Sequence, residues 1–132
     1  MKAFIIVLAS LLSQLAIAKP QYLNQKKSEN GSSILVKADK SITNMKIGSL
    51  YVTITNDCEC TIESFDASMP QHRHGMYVKA SAAKLFSSNK SSKTYKIDGV
   101  KLHMPGQWEL KFTLKSKASK LETLKIPYQL KN

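Results

Sequence analysis

Acid, arginine, cysteine and long apolar runs are all scarce in this chain, and each shortage removes a class of reading. Nine aspartates and glutamates stand against 20 lysines and arginines. The nine are scattered, so the paired carboxylates of a glycoside-type hydrolase find no support. Arg73 is the only arginine. Clamps on phosphates and base edges favour guanidinium forks over the point charge of lysine, so the basic excess is not the footprint of a sequence reader. The two cysteines, Cys58 and Cys60, stand one residue apart, which offers no spaced pair of Cys-x-x-Cys motifs. Serines are numerous, yet none lies in a Gly-x-Ser-x-Gly context. No repeat is visible. These gaps point to a binding protein rather than an enzyme.

What is present begins at the N-terminus. Lys2 is a minimal positive start, Ala3 to Leu12 is nearly all apolar, and Ala16-Ile17-Ala18 is a small-x-small site before the polar Lys19-Pro20. Residues 1–18 therefore read as a secretory signal peptide. The run is short for a span of about 20 residues, so no transmembrane segment is expected in the mature chain. No cysteine follows the site, so no lipid anchor is expected. The expected location is periplasmic or secreted, which also removes DNA as a natural partner. The formal charge of +11 then suggests solubility, or attraction to an anionic envelope surface.

The remaining chain is one domain's worth. Residues 19–32 are polar and aperiodic, as in a flexible N-terminal leader. Residues 33–132 carry short strand patterns separated by turn signals. Ile34-Leu35-Val36, Ile47 to Thr55, Thr61 to Phe65, with Ile62 and Phe65 on opposite faces, and Met76 to Ala80 read as strands. Ala80 to Phe86 is either strand or irregular. Lys93 to Ile97 ends at a turn signal, Asp98-Gly99, and Val100 to Met104 follows as a short strand. In the clearest strand, Trp108, Leu110, Phe112 and Leu114 share one face. In the last, Leu124, Ile126, Tyr128 and Leu130 share a face, and Pro127 in its middle suits an edge position. Seven or eight short strands without a convincing helix predict an all-β, immunoglobulin-like or cupredoxin-like sandwich.

Two short segments hold all three histidines, each beside methionine. Met69-Pro-Gln-His72-Arg-His74-Gly-Met76 is one, and His103-Met104 is the other. Imidazole with thioether suits copper, because soft sulfur favours Cu(I) and the nitrogen accepts either oxidation state. Zinc competes for a two-histidine site but is less favoured without carboxylates nearby. In extended backbone His72, His74 and Met76 would point one way, with Gly75 able to break that parity. Met69 would join only if the loop curls. By alternation Met104 shares the face of Val100 and Leu102, leaving His103 exposed. Core filling is the ordinary role of a lone methionine, and it is the better reading for Met45.

Cys58-Glu59-Cys60 leaves three alternatives open. These are a local disulfide in an oxidising compartment, thiols used for metal or redox work, and an intermolecular bridge.

Ser68-Met69-Pro70-Gln71-His72-Arg73-His74-Gly75-Met76, together with Tyr95 through Leu110 containing His103-Met104-Pro105-Gly106-Gln107-Trp108, resembles the YtkA-like family of exported domains. The resemblance covers roughly residues 47–114. It implies an immunoglobulin-like sandwich outside the cytoplasm and a link to copper handling and oxidase assembly. It also implies His72, His74, Met76 and Met104 as ligands, Met69 as a possible extra, Gly106 as a tight turn and Trp108 as a core anchor. Cys58-Glu59-Cys60 is not part of that pattern. The leading expectation is thus a copper-binding or copper-delivery protein, a chaperone serving a copper-accepting envelope protein. The alternative is a metal-free immunoglobulin-like module for an anionic envelope partner. A thiol–disulfide role for Cys58 and Cys60 comes third.

Overall fold

Nine strands, with burial alternating most regularly along Gly48–Thr55, Gly106–Lys115 and Leu121–Leu130, organise the chain in a computed structural model that describes residues 22–27, 33–55 and 59–131. The candidate signal segment 1–18 and Cys58 lie outside the described residues. The strands are β1 (Tyr22–Lys27), β2 (Ser33–Ala38), β3 (Gly48–Thr55), β4 (Thr61–Met69), β5 (His74–Gly75), β6 (Lys84–Ser88), β7 (Ser92–Val100), β8 (Gly106–Lys115) and β9 (Leu121–Leu130). A single helical turn, α1 (Lys40–Thr43), interrupts them. One antiparallel sheet runs β1-β2-β3-β7-β6 and the other β5-β4-β8-β9.

The two sheets close over one core, so the fold is an all-β sandwich. Ile34, Val36, Leu50, Val52, Ile54, Tyr95 and Ile97 come from the first sheet. Ala67, Met69, Trp108, Leu110, Phe112, Leu114, Leu124, Ile126 and Leu130 come from the second. Trp108 and Phe112 have no exposed surface, and full burial of one such side chain contributes roughly 1.5–3 kcal/mol. The inward faces expected for β8 and β9 are the observed ones. Pro127 stands on β9, an edge strand of its sheet, as its missing donor favours.

Four local expectations change. Within the segment 19–32, Tyr22–Lys27 pairs with the open edge of β2. Asp98-Gly99 does not turn the chain. Gly99, at φ +73°, forms a bulge against Gly48 to Leu50, and β7 continues to Val100. A second irregularity between Ile62 and Ser64 resets the parity of β4, so Ile62, Phe65, Ala67 and Met69 all pack against the core. Residues 76–80 form no strand, and Lys84–Ser88 pairs with β7 instead. The helix was invisible to periodicity because it is one turn long. Asp39 caps it, accepting the Ile42 N–H at 3.2 Å and the Ser49 N–H at 2.9 Å.

Cys60 is buried and disulfide-bonded. Among the described residues no helix is long and apolar enough to cross a membrane.

Candidate metal centre

The first histidine segment is a hairpin. β4 ends at Met69, and the His72 N–H donates to the Met69 carbonyl at 3.2 Å, closing the turn over Pro70 and Gln71. Arg73 takes the left-handed conformation, φ +52°. His74 and Gly75 then pair back onto Met69 and Ser68. The extended run expected from 72 to 76 is therefore only two residues long. His72 and His74 still come together, with ring centroids 6.3 Å apart and planes 28° from parallel. Metal–nitrogen bonds of about 2 Å put two ligating rings within roughly 6 Å of each other. Both side chains are exposed, where packing does not lock their rotamers. Met76 instead is half-buried and packs on the core.

The second segment is the connection from β7 to β8. Val100 and Leu102 are buried, but residues 101–103 lie outside the strand, so alternation no longer decides where His103 points. It is not exposed. Its ring stacks on Tyr77 at 3.7 Å with 20° between planes, and the edge of Trp108 stands 5.4 Å away at 84°. Both imidazole nitrogens are enclosed and have no hydrogen-bond partner among the described residues. Met104 is half-buried against the core, and its carbonyl accepts the Trp108 indole N–H at 3.0 Å. That bond holds the turn through Pro105 and Gly106.

The two segments meet at one end of the sandwich. A Cβ on Gly106 would fall 2.6 Å from the Met69 methyl, so the methionine fills the space a side chain would need. Gly106 also has φ +135°, which favours glycine. Met69 is 1% exposed and serves as packing beneath the hairpin. Tyr77, just past the hairpin, covers His103. Burial first, then the nearby His74 and Lys101, hold the His103 imidazole below its ordinary value of 6.5. The influence of His74 places that residue within electrostatic range of His103.

Among the described residues, no three His, Cys, Asp or Glu side chains converge to hold a metal ion. Tyr77 is the site residue that sequence reasoning passed over. It reads as one aromatic in a strand, and only the irregular path of residues 76–80 turns it onto His103.

No protein-family model, curated protein or solved structure matches this chain.

Proposed function

We propose that this chain is a periplasmic copper-binding or copper-delivery protein. Cu(I) is the favoured cargo, His72, His74, Met76 and Met104 form the donor pool, and His103 adds a further imidazole. The observation that carries this reading is the meeting of the 69–76 hairpin and the 101–106 connection, with Tyr77 on His103 and the Met69 methyl against Gly106. A neutral imidazole keeps one basic ring nitrogen, and on His103 that lone pair has no hydrogen-bond partner among the described residues. A lowered pKa favours the neutral form, which is the one that binds metal. The exposed His72–His74 pair leaves a face through which an accepting envelope protein, in the oxidase-assembly setting suggested by the YtkA-like resemblance, could take the ion.

The fold reading that goes with this proposal is an immunoglobulin-like sandwich. Strands β2-β3-β7-β6 opposite β4-β8-β9 reproduce the constant-type order of four strands against three. β1 and β5 add one edge strand to each sheet. The buried tryptophan lies on β8, and Cys60 is on the approach to β4, so the conserved inter-sheet pairing of antibody domains is not part of the argument.

Competition titration of the protein with Cu(I), Cu(II) and Zn(II) tests the proposal. Cu(I) should bind tightest. The combined His72→Ala and His74→Ala variant should lose at least about ten-fold in copper affinity, or 1.4 kcal/mol. Met104→Leu should weaken Cu(I) more than Zn(II), because thioether preference is soft. Unchanged copper affinity in the double histidine variant would sink the reading, and a preference for zinc would replace copper with zinc.

A further inference from the structure

The outer edge of the five-stranded sheet carries a surface unrelated to the histidines. All five residues of β6, Lys84 to Ser88, are exposed. Leu85 and Phe86 stand 58% and 60% open to solvent. The pairing shifts register between Leu85 and Ser87, so Phe86 is the bulged residue. Its ring turns onto the outer face, edge-on to Tyr51 at 5.3 Å. Leu85 lies opposite the inward-facing Tyr95, so the two apolar side chains straddle the edge. Lys84 pairs opposite Lys96, and the Lys96 ammonium lies 5.9 Å over the Tyr51 ring. Lys90 follows, exposed, in the adjoining turn. Asp98 is the acid on this face, 3.5 Å from Lys96, which leaves the cations in excess.

A bare sheet edge can recruit another strand, but a bulge and a lysine are the devices that discourage strand addition. Docking here therefore proceeds through side chains. Exposed apolar anchors ringed by lysine point charges, with no arginine fork, suit a diffuse anionic surface better than a defined phosphate or carboxylate pocket. We infer that β6 and the Tyr51–Phe86–Lys96 face dock on an anionic lipid surface, with Phe86 and Leu85 entering the headgroup boundary and Lys84, Lys90 and Lys96 facing the lipid charge. This inference stands independently of the metal reading.

The test uses the full chain carrying Phe86→Trp. Trp108 is fully buried, so a change in emission reports position 86 and not insertion of residues 3–12. Emission should shift to the blue with vesicles containing phosphatidylglycerol and stay unchanged with phosphatidylcholine alone, and added salt should weaken the effect. In vesicle sedimentation, Phe86→Ser should lower affinity roughly ten-fold, and Lys84→Gln or Lys96→Gln roughly five-fold each. Leu121→Ser, at an exposed apolar position on the opposite sheet, should change nothing. An absent shift with anionic vesicles would overturn the inference. So would a loss with Leu121→Ser equal to that with Phe86→Ser. An equal shift with soluble polyglutamate would overturn it in favour of an acidic protein partner.

Discussion

The β8–β9 ladder and the histidine end of the sandwich are built on opposite principles. From Gly106↔Leu130 to Lys115↔Leu121 the ladder runs without a register shift, and alternate residues enter the core. At the histidine end regularity fails within a few residues. Arg73 is left-handed, β5 is two residues long, Gly106 has a positive φ, and two polar ring nitrogens are enclosed without partners among the described residues. Stability resides where the pattern is regular. Irregular backbone held by a rigid sheet is where uncommitted donor atoms can be kept. Trp108 joins the two regimes, since its ring is core and its N–H ties down the Met104 carbonyl.

The largest expected effect breaks the ladder side of that comparison. Trp108→Ala should cost about 3–5 kcal/mol of unfolding free energy in denaturant titration. His72→Ala and His74→Ala, at exposed positions of the hairpin, should each stay within about 0.5 kcal/mol. Equal costs at the two ends would erase the distinction. Next comes the junction. Gly106→Ala should cost about 1–3 kcal/mol, since the new methyl meets the Met69 side chain in backbone strained for L-residues. In a double-mutant cycle with Met69→Ala, part of that cost should disappear, giving a coupling of about 0.5–3 kcal/mol. Additivity would show that the backbone angle alone requires glycine.

The same contrast explains how far the sequence could be read. Trp108, Leu110, Phe112 and Leu114 announce their face because a strand has a period of two and nothing interrupts it. Pro127 announces an edge because it lacks a donor. Parity was lost wherever a bulge entered: at Glu63, which brought Phe65 onto the core side with Ile62, and at Gly99, which looked like a turn. Bulges leave no periodic trace in one sequence. For the candidate site, the methionine neighbours are what single out His72, His74 and His103 in the sequence, and the structure puts the hairpin and the connection at one end of the sandwich. The burial of Met69, the inward lean of Met76 and the placing of His103 beneath Tyr77 depend on tertiary packing of non-alternating backbone.

The smallest expected effects sharpen the comparison at the Tyr77–His103 stack. Tyr77 is 79% exposed, so its removal uncovers rather than excavates. Losing the ring pair costs about 0.5–1.5 kcal/mol, while hydration of the imidazole nitrogens offsets that loss. The net change for Tyr77→Ala should stay within about 1 kcal/mol. Its clearer signature is in pH. A histidine held below 6.5 by burial, His74 and Lys101 takes up its proton more readily once unfolded. Between the folded value and 6.5 the unfolded chain binds more protons, so stability rises with pH across that window. The stabilisation is complete above 6.5 and is lost as the pH falls through the folded value. Imidazole proton NMR of the metal-free protein should show His103 titrating below 6.5. The midpoint should move up in Tyr77→Ala, and the acid-side loss of stability should shrink, as it should when His103→Gln removes the proton site. An unmoved midpoint would mean that the sheet end and Trp108, rather than Tyr77, keep water from the ring.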